Sequence, residues 1–531
     1  MTARIILALV LCSAWPAAGQ PVIADSGVTN AASYAVLQVP GAGIAPGSIV
    51  VIFGTGLGPN TLQSAPGYPL QPDLAGTSVT IGSSPAYMVY TSATQVAVIV
   101  PSTLQPGTHQ ITVTFSNRTS PPVAVPVTQT DFGIFTRNSA GYGQAAAQTV
   151  DPASRAVITL GLASSVRPGE PVILYGTGLG AISGAPDDRP PGVQRTTAPV
   201  EVVIGGRVVP TEYAGRSPNF AGLDQINFTA PTDIGPDCYV PLAVRANGRL
   251  SNIVSVPVTG TGRNCPHSFN FSEAALRSID SGGTVSITYA LAERRSSPSG
   301  GGNGAGIGFA EVDPNALEVT AADSLDPYAP TQLGTCAVFG NDRNRTVPAT
   351  PGVSRPRFLD AGATIRLSGP SFSTDLTRTP GSSYGENLPD GVLRAGTWTY
   401  SGSGGADVGA FQLAVDLPDA LTWTNTQGLI DRTQPLRIEW TLGGIEPVRV
   451  VVSAGIEDRF SSIECLVRPQ DRSVTIPATL LSALPSGGSG GIILTQSVTR
   501  SGFSTPLARG GVVDGSLFRI VYQTSATIQA Q

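Results

Sequence analysis

The sequence predicts an all-β chain, two tandem β-sandwiches followed by a larger β-sandwich domain, and three observations lead there. Apolar and polar residues alternate over short runs, as in Ile111, Val113 and Phe115 against Thr112 and Thr114, which half-buries one face of a strand. The 63 glycines and 45 prolines are spread between such runs rather than pooled in one tract, as many turns between strands would leave them. The string "APGSIVVIFGTGLGP" at 45–59 returns as "RPGEPVILYGTGLGA" at 167–181, so a unit of the chain is written twice.

Length and composition set the outer bounds. A single hydrophobic core rarely serves more than about 250 to 300 residues, so 531 residues imply several modules. Hydrophobic residues make up 41% of the chain and mean hydropathy is +0.13, while charged residues are only 13%, about half the usual share. The chain therefore reads as globular, with an uncharged surface rich in Ser and Thr. All 31 basic residues are arginine, and the absence of lysine removes P-loop, Schiff-base and Ser-Lys chemistry. A net charge of −5 and a pI near 5.2 argue against a nucleic-acid footprint. Of the two histidines, His109 lies in the strand pattern "GTHQITVTF" and His267 just after "NCP". Neither has an acid or nucleophile at a recognisable spacing, so both are read as structural.

Residues 1–20, "MTARIILALVLCSAWPAAGQ", place Arg4 before the apolar run Ile5 to Leu11 and end in small residues, the pattern of a secretory signal peptide. Cys12 follows Leu11 rather than a small residue, which disfavours a lipid anchor. No later stretch reaches 18 apolar residues, so the expectation is a product exported to the cell surface, exterior or periplasm with no transmembrane segment. Four cysteines remain, Cys238, Cys265, Cys336 and Cys465, an even number suited to an oxidising compartment. Three pairings are formally possible. Cys238 with Cys265 and Cys336 with Cys465 are preferred, because each pair falls inside one module. No C-x-x-C spacing supports the rival reading of a metal site.

The repeat extends beyond its glycines. Ile81-Gly82 answers Ile204-Gly205, Gln95 answers Gln225, Val100-Pro101 answers Ala230-Pro231, and "VAVPV" answers "VSVPV". Each unit offers six or seven strand-like runs, and two antiparallel sheets face to face would bury their apolar sides, giving immunoglobulin-like sandwiches over 21–135 and 136–266. A dinucleotide site needs G-x-G-x-x-G leading from a strand into a helix. Here Gly54, Gly56 and Gly58, and again Gly176, Gly178 and Gly180, are spaced G-x-G-x-G and followed by proline-rich segments, which cannot build a helix. The six glycines are read as strand-ending turns that need positive φ, and no cofactor is expected.

The stretch "APGSIVVIFGTGLGP…VTIGSSPAYMVYTSATQVAVIVPSTLQPGTHQITV" resembles the IPT/TIG type of immunoglobulin-like domain. More closely, residues 27–266, with "GVTNAASY", "GYGQAAAQ", "RPGEPVILYGTGLGA", "YAGRSPNFAGLDQINFTAP" and "SNIVSVPVTG", resemble the Solibacter-type uncharacterised C-terminal domain of large exported acidobacterial proteins. Here that domain precedes another module instead of closing the chain. The resemblance implies export and paired sandwiches, and carries no catalytic residues.

From 267 to 531 the β-like composition continues without the repeat. "SSPSGGGNGAGIG" at 296–308 reads as a flexible loop or linker, and 322–356 as a long loop rich in Pro and Asp. Leu436, Ile438 and Trp440 alternate with Arg437 and Glu439, as on a sheet with one wet face. "PATLLSALP" is compatible with one helical turn. Cys336 and Cys465 bracket most of these strands, so the region is taken as one β-sandwich domain.

Candidate chemistry is sparse. Gly487-Gly488-Ser489-Gly490-Gly491 matches the G-x-S-x-G elbow in letters, but no histidine follows it, and linker glycine is the better reading. Asp323 with Asp326, or Asp187 with Asp188, could hold Ca²⁺ or act as an acid/base pair. Neither fits a known loop spacing, and solvated loops are preferred. Trp398, Trp423 and Trp440 could stack on sugars, although their strand alternation favours core packing. The expectation is an exported, non-enzymatic protein supplying structural, adhesion or interaction modules, with an extracellular protein or polysaccharide as the possible partner. Carbohydrate or polymer binding through the C-terminal aromatics is the alternative, and a secreted hydrolase comes third.

Overall fold

A computed structural model describes residues 20–35, 43–297, 302–313, 335–342, 356–378, 381–441, 447–456 and 459–531. The signal-peptide reading up to residue 19, Cys12, and the Asp323/Asp326 pair fall outside these residues.

The first sandwich is built as its alternation dictates. One sheet runs in the order Val22–Asn30, Ile49–Thr55, Gln95–Ile99, Tyr87–Thr91, Gln63–Ser64. The other is centred on Thr77–Ile81 and Gly107–Phe115. Val50, Ile52, Val96 and Val98 face Val79, Ile81, Ile111 and Val113, all at most 1% exposed. Each such side chain contributes roughly 1.5–3 kcal/mol through burial. The second sandwich repeats the plan. Pro171–Thr177 pairs with Asp224–Thr229 as Ile49–Thr55 pairs with Gln95–Ile99, and Val200–Ile204 pairs with Asp237–Ala246 as Thr77–Ile81 pairs with Gly107–Phe115. One boundary moves: Gly133–Ile134 pairs with Gly176 and Thr177, so the second unit begins before residue 136.

The third domain opens with a helix that strand patterning misses, Glu273–Asp280. Ser272 caps it by accepting from the Ala275 N–H, and Ala275, Leu276 and Ile279 are its buried face. Then comes a 14-stranded sheet whose path runs from Thr335–Asp342 at one edge to Phe411–Leu417 at the other, with a separate three-stranded sheet, Thr422–Trp423, Leu436–Thr441, Ser473–Ile476. Both sheets contribute to one core. The domain's first long strand, Val285–Ser296, lies parallel to its last, Gly515–Ala530.

Three loop expectations are corrected. Residues 302–308 of the glycine-rich segment belong to the strand Gly302–Val312, which pairs in unbroken register with Val285–Ser296. Its glycines occupy alternate positions, so Asn303, Ala305, Ile307 and Phe309 all reach the buried side. Gly308 is where the Tyr289 ring lies across the neighbouring strand, in the space a Cβ would fill. Residues 335–342, inside the supposed long loop 322–356, also form a strand. Finally, Ser489 begins the strand Ser489–Ser501, so Gly490 and Gly491 sit in a sheet. A nucleophile elbow needs its serine between strand and helix, and this one is not.

Candidate functional site

The glycine turns show what they do once the neighbouring chain is placed. Gly56, Gly178 and Gly180 take φ of 65°, 111° and 91°, as a bending turn requires. Gly54, Gly58 and Gly176 do not, and are needed for space: a Cβ there would collide with Val22 O, Thr91 Oγ1 and Gly133 O respectively. At the second turn the linker between the sandwiches lies directly over the backbone. Asp131 O occupies the place of a Gly178 Cβ, Gln129 O that of a Gly180 Cβ, and the Asp131 N–H donates to Gly178 O at 2.9 Å.

That turn is also the seat of the first sandwich. The Asn30 amide donates to Asp131 O (2.7 Å) and Thr177 O (3.2 Å), and the Ile49 N–H donates to Thr177 Oγ1 (2.8 Å), whose hydroxyl donates to Gly222 O. Alongside, Asp187 Oδ2 accepts the Ser102 N–H at 2.8 Å, Asp188 O accepts the Leu70 N–H, and Tyr68 Oη accepts the Ala221 N–H. Leu70, Ile99 and Ala221 form a small buried cluster between them. Asp187 and Asp188 are therefore joint residues rather than solvated loop. Burial raises the Asp187 carboxyl, while the bidentate hydrogen bond from Arg189 lowers that of Asp188.

Behind the turn lies a buried ion pair, Arg216 with Asp224, at 3% and 0% side-chain exposure. Arg216 also donates to Gly180 O, and Asp224 accepts the Leu179 N–H, both at 2.8 Å. The pair thus holds Leu179 and Gly180 of the repeat motif through their backbone.

The second joint is more apolar. Leu162 and Ala163 share a cluster with Cys238, Cys265, Phe269, Phe271 and the inner face of helix Glu273–Asp280. At the helix end, Asp280 accepts from Arg137 Nη1 (3.0 Å) and from the N–H groups of Leu162 and Ala163 (both 2.8 Å). The Cys238–Cys265 and Cys336–Cys465 disulfides are both formed. His267 is 8% exposed, its Nε2 lies 2.9 Å from Tyr239 Oη, and its Nδ1 accepts the Phe269 N–H at 3.2 Å. An Nδ1 that accepts cannot also carry a proton, and burial lowers the ring's pKa to about 4.

This geometry gives a pH prediction. Above about pH 6.5 the ring is neutral in both folded and unfolded chains, and below about 4 it is protonated in both. Between these values only the unfolded chain binds the proton, so acidification there is expected to remove up to about 3 kcal/mol of stability. Denaturant titrations of wild type and His267→Gln across this window check it. Curves that stay parallel would exclude His267 as the source.

One cleft of about 540 Å³ opens beside this joint, lined by Gly205, Arg207, Asp233, Asp237 and Tyr239 of the second sandwich and by Arg468 of the third domain. Asp233 is paired with Arg207 at 2.8 Å, and Asp237 accepts the Tyr239 N–H. The recess is polar and charge-balanced, and its two acids are already bonded. His109, by contrast, lies in the strand Gly107–Phe115 with Nε2 2.9 Å from Gln105 O. Trp398, Trp423 and Trp440 are 1%, 6% and 3% exposed in the third domain's core, which leaves no ring face for a sugar. Among the described residues, no group of three or more His, Cys, Asp or Glu is placed to hold a metal ion. The joint residues Arg137, Arg216, Asp224 and Asp280 are not legible in the sequence, since a lone charged residue carries no mark of its partner.

The fold and its joints define an all-β protein, two immunoglobulin-like sandwiches in tandem followed by a larger β domain. Residues 40–128 match the IPT/TIG domain family. No curated protein matches the chain significantly. Similar solved structures include a Bacteroides ovatus SGBP-B from a mixed-linkage glucan utilization locus in complex with a heptasaccharide, 11% identical with a TM-score of 0.19, covering 41% of this chain and 45% of that one. An SGBP-B from a Bacteroides uniformis xyloglucan utilization locus is 10% identical with a TM-score of 0.16, covering 86% and 100%. Domains 4–9 of the surface layer protein SbsC are 13% identical with a TM-score of 0.13, covering 94% and 65%. The chain thus spans less than half of the first of these structures, and at such scores none of them bears on function. Two disulfides do bear on location, because such bonds persist in oxidising surroundings outside the cytosol.

Proposed function

We propose that this chain is an exported, non-enzymatic protein of the bacterial exterior whose sandwiches serve as structural, adhesion or interaction modules. The observation that carries the reading is the use made of buried and half-buried polar groups. Asn30, Thr177, Asp187, Arg216, Asp224 and Asp280 hold linkers, turns and neighbouring sandwiches in place instead of converging on a cleft. Recognition of a polymer through Trp398, Trp423 and Trp440 loses its support with the rings in the core. The purified mature chain is expected to show no turnover on ester, glycoside and peptide substrate panels, and no retention on insoluble polysaccharides. Turnover that rises with protein concentration and co-purifies with the chain would falsify the non-enzymatic reading. Retention on a polysaccharide would restore polymer binding through a surface other than these three rings.

A further inference from the structure

An open sheet edge exposes unpaired N–H and C=O groups to any second strand, and proteins blunt such edges with short strands, bulges, prolines or lysines. This chain has no lysine. Its sandwich edges are blunted otherwise. Gln63–Ser64, Gln194–Arg195 and Arg249–Leu250 are two residues long. Val123–Val127 and Val254–Val258 contain Pro126 and Pro257, and Val22–Asn30 breaks register between Ile23 and Val28. Phe411–Leu417, the last strand of the 14-stranded sheet, has none of these devices. It is seven residues long, free of proline, and pairs on one side in unbroken register with Gly396–Gly402.

Its sequence, FQLAVDL, is also compatible with itself. Phe411, Leu413, Val415 and Leu417 are buried on the core face, while Gln412, Ala414 and Asp416 are exposed on the other. An antiparallel copy centred on Ala414 would set Phe411 opposite Leu417, Leu413 opposite Val415 and Gln412 opposite Asp416. Every core-facing residue then continues the core face of its partner. Each acid meets an amide, so no like charges stand directly opposite one another, which would destabilise an antiparallel ladder.

From an edge that no described residue pairs with and its self-complementary sequence, we infer that two copies of the chain associate through Phe411–Leu417, joining their 14-stranded sheets antiparallel about a two-fold axis at Ala414. Such an interface is isologous and closes at two copies.

Sedimentation equilibrium of the mature full-length chain tests this. The wild type is expected to reach twice the monomer mass as concentration rises. Ala414→Arg and Ala414→Glu, each placing like charges opposite one another at the axis, are expected to stay monomeric with unchanged melting curves, since the Ala414 side chain is exposed. An equimolar mixture of the two variants is expected to recover the dimer. A wild type that is monomeric throughout, a dimer that survives Ala414→Arg, or a mixture that stays monomeric overturns the inference.

Discussion

Replacing Cys336 and Cys465 with serine is expected to lower the stability of the third domain by about 5 kcal/mol, the chain-entropy value for a loop closed across a sequence separation of 129. The two cysteines are direct cross-strand partners, with Cα atoms 4.0 Å apart, on Thr335–Asp342 and Arg459–Val467. Among the described residues, Thr335–Asp342 is an edge strand that pairs with that neighbour alone. Among the described residues, the bond reinforces one backbone ladder and the packing of Cys336 against the core. Guanidinium unfolding of the double variant beside the oxidised wild type measures the loss. Coincident midpoints would show that the bond contributes nothing to stability.

The second large effect is expected at Arg216. Arg216→Met leaves Asp224 fully buried opposite a thioether, and stranding one half of a buried ion pair costs about 3–5 kcal/mol. The Leu179 N–H still bonds Asp224, but Gly180 O loses its donor. The damage is therefore expected in the second sandwich and at its seat for the first. Arg216→Met combined with Asp224→Leu is expected to recover most of the loss, because the uncompensated charge is gone. Urea unfolding of both variants decides this. A single variant as stable as wild type, or a double variant no better than the single, contradicts the buried-pair account.

Much of this architecture is legible in the sequence because period-two alternation is a direct imprint of a half-buried strand. Ile111, Val113, Leu436, Ile438 and Trp440 all lie on the faces their alternation assigns. The repeat is legible for a related reason: paired strands must recur with the same turns, and Ile49–Thr55 and Pro171–Thr177 occupy the same place in their sheets. Elsewhere local composition misleads. Glycine's low strand propensity hides the strand at 302–312, where every second residue carries the packing. Helix Glu273–Asp280 did carry a signal, Ser272 as cap and the Glu273–Arg277 pair, but it is short and set among strand-like runs. The joints are the least legible part. Asn30 and Thr177 meet across a linker, and nothing in either neighbourhood names the other.

The parallel pairing of Val285–Ser296 with Gly515–Ala530 has a mechanical meaning. Ten residues of each strand stand side by side, from Ile287 with Gly515 to Ser296 with Thr524. The two strands run in the same direction, so tension applied through the start of one and the end of the other slides them lengthwise. The ladder then bears the load along its whole length at once instead of opening from one end like a zipper. In a chain anchored at one end and pulled at the other, this domain would resist extension before it yielded.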